Sequence, residues 1–117
     1  MSTTISGTNG VTFPDSTSMQ TGQQACKAWV NFDGTGTVAI RDGYNVSSIT
    51  DRGTGDYLVN FTTAMVDANY CAVRTVMLSG NPQTIRGNNF VSYVEVYVTN
   101  PSNGVQDPTT INVAIFR

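Results

Sequence analysis

Apolar and polar residues alternate along several short stretches of the chain after residue 25. Ala28, Val30 and Phe32 occupy every second position, and Trp29 and Asn31 lie between them. Because successive side chains of a strand point to opposite faces, this period of two predicts a β-strand with one buried face. The same alternation recurs in three further apolar sets: Tyr57, Val59 and Phe61; Val94, Val96 and Val98; and Ile111, Val113 and Ile115.

Turn-forming residues separate the predicted strands at short, regular spacing. Asp33-Gly-Thr-Gly leads from the first strand into Val38-Ala-Ile, which predicts a β-hairpin. A further strand is expected over residues 44–50. Residues 70–78 form a longer apolar run, which is typical of a strand covered on both faces, by its own sheet partner and by another subunit. Helical periodicity extends no further than one turn around residues 63–67.

The spacing of strands and turns predicts the fold class and the domain organisation. About seven to eight short strands separated by Gly, Pro, Asn and Asp turns indicate an all-β protein, a compact antiparallel β-sandwich. A chain of 117 residues forms one such domain. Residues 1–22 are mostly polar, so we expect them to form an extended N-terminal arm before the sandwich domain at residues 23–117. An arm of this composition stays mobile or packs along a neighbouring subunit.

The composition argues against several classes of partner. Charged residues make up 12% of the chain, the net charge is −2, and no two of the six cations are adjacent. Nucleic-acid binding needs clustered Lys or Arg, so no nucleic-acid partner is expected. No apolar run approaches the roughly 18 residues of a membrane span, and no leader pattern follows Met1. We therefore expect no membrane insertion and synthesis in a cytoplasm.

The two cysteines are expected to be structural. Cys26 and Cys71 both lie in apolar strand patterns, where a free Cys behaves as a small buried hydrophobe. A disulfide between them is conceivable, but a cytoplasmic site of assembly disfavours it. The chain has no His, so two distant thiols do not predict a zinc site.

Paired carboxylates are the remaining candidates for catalysis. Asp33 faces Asp42 across the predicted hairpin, and Asp51 and Asp56 flank Gly53-Thr-Gly. Such pairs could serve a glycosidase or coordinate Ca²⁺. Aspartates beside glycines more often form turns, in which the carboxylate accepts local backbone N–H bonds, and this is the interpretation we favour.

The glycine-rich loops lead into strands and not helices, unlike phosphate-binding loops. No catalytic residue, cofactor or metal is therefore expected.

Longer segments of the chain resemble a known family. They are Lys27-Ala-Trp-Val-Asn-Phe-Asp-Gly-Thr-Gly-Thr-Val-Ala-Ile-Arg, Tyr44-Asn-Val-Ser-Ser-Ile-Thr-Asp, Gly53-Thr-Gly-Asp-Tyr-Leu-Val-Asn-Phe-Thr-Thr-Ala-Met, Asp67-Ala-Asn-Tyr-Cys-Ala-Val and Val105-Gln-Asp-Pro-Thr-Thr-Ile-Asn-Val-Ala-Ile-Phe. Together they resemble the head domain at the C-terminal end of many bacteriophage tail-fibre proteins. Residues 4–15 resemble the segment that often precedes such heads. The resemblance implies a homotrimeric virion module that binds a host and is not an enzyme.

Candidate receptor contacts come from two parts of the sequence. Tyr93 and Tyr97 alternate with the valines of their strand, where they would stack on sugar rings or, as we favour, pack at a trimer interface. Residues 79–89 are least like the family, and loops at the distal end of phage fibre heads carry host recognition. Arg86, Asn88 and Asn89 in that segment are therefore predicted to contact the receptor.

Two functional hypotheses follow. The first is a tail-fibre-type head domain of a bacteriophage virion, bound to other virion proteins, that attaches to a host-surface glycan such as an envelope polysaccharide. The second is a small trimeric capsid decoration or cement protein attached through its N-terminal arm. A host-wall hydrolase is disfavoured because the sequence lacks a credible acid/base pair.

Overall fold

Every regular element of the described chain is a β-strand. The structure is a computed structural model that describes residues 3–8, 10–21, 25–77, 83–100, 102 and 104–117. The strands are β1 (Thr4–Ser6), β2 (Gly10–Thr12), β3 (Ser18–Met19), β4 (Cys26–Asp33), β5 (Ala39–Tyr44), β6 (Val46–Gly53), β7 (Asp56–Phe61), β8 (Cys71–Met77), β9 (Thr84–Arg86), β10 (Tyr93–Thr99) and β11 (Thr110–Phe116). The predicted all-β class is confirmed. Within the described ranges, no helix has the length and apolarity needed to cross a membrane.

Eight of these strands form two four-stranded antiparallel sheets. The front sheet has the strand order β6-β7-β10-β9, and the back sheet has the order β5-β4-β11-β8. The β4–β5 hairpin predicted from the sequence is present, with Phe32 opposite Ile40 and Asp33 opposite Ala39. The predicted antiparallel sandwich of about seven to eight strands is therefore confirmed.

The hydrophobic core lies between the facing surfaces of the two sheets. All twelve members of the four alternating sets predicted from the sequence are buried. Phe32 of the back sheet meets Tyr57 of the front sheet edge to face, with ring centroids 5.5 Å apart. Truncating one of these side chains, as in Ile111→Ala, is expected to cost ~2–5 kcal/mol because it removes buried contacts and leaves a cavity.

The turn aspartates behave largely as predicted. The Thr35 amide donates to the Asp33 carboxylate at 2.8 Å, and the Gly53 amide donates to Asp51 at 3.0 Å. These bonds satisfy backbone donors where the hairpins turn. Asp56 differs, because its carboxylate accepts two hydrogen bonds from Arg52, at 3.1 and 2.7 Å. The expectation that Asp56 is a turn former is therefore wrong.

The predicted N-terminal arm contains three short strands. β1, β2 and β3 form a separate three-stranded antiparallel sheet, so the expectation of a simple extended arm is corrected. None of its residues belongs to the core of the sandwich, and the molecule is elongated, 51 × 28 × 24 Å. Register aligns Ile5, Val11 and Met19 in one apolar row, and Ile5 is 83% exposed. The predicted boundary between residues 22 and 23 lies outside the described residues.

Burial along β8 alternates. Val73 and Met77 are exposed on the outer face, whereas Ala72 and Val76 pack against the core. In the single chain this strand is thus covered on one face, and the expected second cover would have to come from another molecule. The last residue of the predicted run, Leu78, lies outside the described residues.

The two cysteines are free, and their surroundings differ. Cys26 is half-buried, but Cys71 is exposed, so the prediction of a buried Cys71 is wrong. Both are register partners of Phe116, one on each side of β11. Two strand spacings separate them by about 10 Å. A disulfide needs Cα atoms closer than about 7 Å, so the two thiols cannot be joined within one chain without backbone movement.

Candidate functional site

A polar depression of about 400 Å³ lies on the outer face of the front sheet. It is lined by Arg52, Asp56, Arg86, Gly87, Asn88, Glu95 and Tyr97. The alternation of β10 creates this site, because burial of Val94, Val96 and Val98 turns the residues between them outward.

Register brings three strands together at Tyr97. On one side Tyr97 pairs with Arg86 of β9, and on the other side it pairs with Asp56 of β7. The Arg86 guanidinium carbon lies 4.9 Å from the centre of the Tyr97 ring, a cation–π contact. In the described part of the chain, no acceptor takes a hydrogen bond from the N–H groups of this guanidinium. Among the described residues, no carboxylate forms an ion pair with Arg86.

An ionic cluster forms the other side of the depression. The Arg52 guanidinium lies 2.7 Å from the Asp56 carboxylate and 3.3 Å from that of Glu95. The hydrogen bond to Asp56, more than the charge of Glu95, raises the pKa of Arg52 above its ordinary value. One arginine therefore links the carboxylates of β7 and β10.

Glu95 also fixes the loop that carries Asn88. Its second carboxylate oxygen accepts hydrogen bonds from the Asn88 backbone amide at 3.2 Å and from the Asn88 side-chain amide at 3.1 Å. A Cβ at Gly87 would collide with the Glu95 carbonyl oxygen, so the loop needs glycine for this close approach. The depression is thus held by bonds within the front sheet.

Asn89 faces the interior and not the depression. Its side-chain oxygen accepts from Arg74 at 2.9 Å, and its nitrogen donates to the Tyr70 carbonyl at 3.0 Å. Arg74 reaches from the back sheet to donate to the Glu95 carbonyl at 3.0 Å, and burial lowers its pKa. Both polar atoms of the Asn89 side chain therefore have protein partners that position the loop, and its role as a receptor contact stays a prediction.

Tyr93 also lies outside the depression. Its ring stacks on Phe90, with centroids 4.6 Å apart and an interplanar angle of 26°. Tyr93 and Tyr97 share the outer face of β10, as expected, but each ring already has a protein partner. Whether these tyrosines contact a glycan or, as favoured from the sequence, a neighbouring subunit stays a prediction.

Sequence reasoning found three of the residues that line the depression, Arg86, Asn88 and Tyr97. It missed Arg52, Asp56, Gly87 and Glu95 as members of this site. One signal was available for Glu95, because it alternates with the two tyrosines of its strand. The contribution of Arg52 had no such signal, since it depends on a pairing with a residue 43 positions away.

A second, more apolar depression of about 360 Å³ lies on the outer face of the back sheet. Register places Tyr44, Trp29, Ala114 and Val73 in one row across its four strands. Trp29 is 39% exposed, Tyr44 56% and Val73 47%. Beside this row, Asn31 donates a side-chain hydrogen bond to Asn112 at 2.6 Å. The small Ala114 side chain leaves a shallow groove between Trp29 and Val73.

Neither depression has the donor set of a metal centre. Across the described ranges, no three His, Cys, Asp or Glu side chains lie close enough together to hold an ion. The front depression instead combines carboxylate oxygens, guanidinium N–H groups, an amide and an aromatic ring. This mixture suits reversible binding of a polar ligand.

Comparison with known proteins adds no relative. No family model, curated protein or solved structure matches the chain.

Proposed function

We propose that the protein is a bacteriophage tail-fibre-type head domain that binds a host-surface polysaccharide through the front depression. The observation that carries the proposal is the convergence of Arg86, Asn88, Glu95 and Tyr97 on one open surface. The resemblance of the sequence to phage fibre heads supplies the biological setting. Binding requires no cofactor and no catalysis.

The chemistry of the depression suits a carbohydrate. Sugar hydroxyls both donate and accept hydrogen bonds, so a binding site needs groups of both kinds. Arg86 offers donors, and the Asp56 carboxylate offers an acceptor oxygen beyond the one that Arg52 occupies. The half-buried ring of Tyr97, which lines the depression, adds an apolar contact for the carbon face of a sugar. An open depression also admits an internal unit of a long polysaccharide.

The back sheet is the proposed surface for trimer assembly. Its row of Trp29, Val73 and Tyr44 exposes apolar area on the outer face of the sheet. Contiguous exposed apolar area of this kind marks interaction surfaces, and closed cyclic assembly buries it in every copy. A trimer built on the back sheet keeps the three front depressions accessible to the host.

The N-terminal sheet is the feature on which the alternative, a capsid decoration protein, rests. The N-terminal sheet carries the apolar row of Ile5, Val11 and Met19 outside the core. A small sheet is marginally stable in water unless its apolar face is covered. Under this hypothesis the row docks on the capsid, whereas in a tail fibre it docks on the preceding part of the fibre.

Two measurements test the proposal. Immunogold electron microscopy of virions that carry this chain locates it on the tail or on the capsid, and capsid labelling would favour the alternative. Binding of the purified protein to envelope polysaccharide from the host tests the site. Tyr97→Ala and Asn88→Ala are each expected to weaken binding by about tenfold, equivalent to ~1.4 kcal/mol. Asn69→Ala, in an exposed loop away from the depression, is the matched control and should bind as the wild type does.

A further inference from the structure

The hydrogen-bond donors and acceptors of the front depression indicate which class of sugar it binds. Resting on the proposed function, we infer that the ligand is an anionic saccharide whose oxyanion, a carboxylate or a phosphate, binds the guanidinium edge of Arg86. Neutral hydroxyls of the same saccharide lie toward Asp56 and Glu95.

Most charged groups of the depression already have partners. Arg52 donates to Asp56 at 2.7 Å and to Glu95 at 3.3 Å. One oxygen of Glu95 accepts from Arg52, and the other accepts from Asn88 at 3.2 and 3.1 Å. These contacts join side chains to one another, so Arg52 and Glu95 leave little capacity for the charged group of a ligand, whereas the second oxygen of Asp56 can still accept from a hydroxyl.

Arg86 is different. Its guanidinium makes the cation–π contact with Tyr97, and among the described residues no acceptor takes a hydrogen bond from its N–H groups. A guanidinium presents a rigid planar fork that matches a carboxylate or a phosphate with two parallel hydrogen bonds. The ring of Tyr97 holds this fork in place, so less side-chain entropy is lost when a ligand binds.

The neighbouring carboxylates do not prevent an anion from binding. Asp56 and Arg86 pair with opposite sides of Tyr97, so two strand spacings of about 10 Å separate their backbones. Arg52 offsets one of the two negative charges of Asp56 and Glu95. The Arg86 end of the depression is therefore its positive end.

The test uses a panel of immobilised bacterial capsular polysaccharides and lipopolysaccharides. Each is presented in native form, after chemical reduction of its carboxylates, and after removal of its phosphates with hydrogen fluoride. The proteins are the wild type, Arg86→Gln, Arg86→Lys and a charge-matched control, Lys27→Gln. Lys27 lies on β4 of the back sheet, away from the depression but on the same outer face as Trp29, so light scattering coupled to size exclusion must show that Lys27→Gln assembles as the wild type does.

We expect wild-type binding to at least one native polysaccharide. Binding should fall at least tenfold after one of the two chemical treatments, and the effective treatment identifies the oxyanion as carboxylate or phosphate. Binding by Arg86→Gln should fall by the same factor. Binding by Arg86→Lys should fall less, because lysine keeps the positive charge but lacks the planar guanidinium. Lys27→Gln should bind as the wild type does. Thermal melting of each variant checks that the fold is retained.

Two other outcomes would overturn the inference, and they differ in what else they affect. Equal binding to native and treated polysaccharides, or undiminished binding by a folded Arg86→Gln, would reject the anionic ligand and leave glycan binding in place. Binding to no polysaccharide in any form would reject the proposed function and the inference together.

Discussion

The Tyr57 hydroxyl lies 2.6 Å from the Asp107 carboxylate, deep at one end of the sandwich. The same hydroxyl lies 2.9 Å from the Gly34 carbonyl, and Asp107 also accepts the Gly55 amide at 2.8 Å. Burial, followed by the hydrogen bond to Asp107, raises the pKa of Tyr57 above its ordinary value. These hydrogen bonds connect the β4–β5 turn and the β6–β7 turn to the segment before β11.

Tyr57→Phe is expected to lower the free energy of unfolding by ~1–3 kcal/mol. The change keeps the buried ring but leaves the Asp107 carboxylate with one donor fewer. Urea denaturation followed by fluorescence measures the difference. Tyr44→Phe, at an exposed tyrosine, is the control and should stay within ~0.5 kcal/mol of the wild type. Equal stability of the two variants would show that the buried hydroxyl contributes little.

Gly34→Ala is expected to destabilise the same end of the sandwich. A Cβ at this position would lie 2.5 Å from the Tyr57 hydroxyl oxygen and 3.0 Å from an Ile111 methyl carbon, so the buried network must move. The expected loss is ~1–3 kcal/mol, as for other overpacked sites. Gly7→Ala is the control, because nothing lies within 4 Å of a Cβ there. A melting temperature unchanged in Gly34→Ala would contradict the crowding argument.

Acid should weaken the contact between Asp67 and the C-terminal residue. Arg117 holds Asp67 with hydrogen bonds of 3.0 and 2.8 Å, and these bonds lower the pKa of Asp67 from its ordinary value of 3.8 to about 2. A carboxyl whose pKa is lower in the folded state stabilises the fold above its unfolded pKa. That contribution is lost as the pH falls from about 4 to about 2.

The measurement is the melting temperature of the wild type and of Asp67→Asn between pH 2 and pH 5, a range chosen to span both pKa values of about 2 and 3.8. The wild type should be the more stable protein at the upper end of this range, and the difference should shrink toward the lower end. A difference that does not depend on pH would show that the ion pair is not the cause.

Both cysteines should react with a thiol reagent in the absence of a reductant. Their separation across β11 prevents an intramolecular disulfide. Cys71 should react faster with a thiol reagent than Cys26, because Cys26 is half-buried and its thiol lies 3.1 Å from the Ala28 carbonyl. Mass spectrometry of the labelled native protein gives the order of modification. If the cysteines could be labelled only after reduction, the strand register that separates them across β11 would be contradicted.

Charge on the back sheet should break the proposed trimer. Trp29→Glu places a carboxylate in the apolar row, where assembly would bury it without a partner. Light scattering coupled to size exclusion should give a trimer for the wild type and a folded monomer for this variant. Thr54→Glu, in an exposed turn of the front sheet, should stay trimeric. A wild type that is monomeric at micromolar concentration would reject the back-sheet interface.

Strand identity and burial were predictable because they depend on local alternation. Val94, Val96 and Val98 are buried as their period of two predicts, and the turn roles of Asp33 and Asp51 follow from neighbouring backbone donors. The three strands of the N-terminal arm were missed because they are very short and carry few apolar residues.

The candidate site was predictable only in part. Arg86 and Asn88 stand out as polar residues of the segment least like the family, but the side chain of Asn89 beside them bonds inward to Arg74. Which of two adjacent asparagines faces the solvent depends on how the loop packs against the back sheet. That packing is a long-range property with no local sequence signature.

The sequence by itself determined most strands of the sandwich, their buried faces and the β4–β5 hairpin turn, because each follows from the preferences of residues a few positions apart. Only the tertiary structure decided the chemistry of the surface. Arg52 meets Glu95 across 43 residues, and Tyr57 meets Asp107 across 50. The physical reason is that strand order and sheet packing, which no local pattern specifies, choose which distant side chains become neighbours.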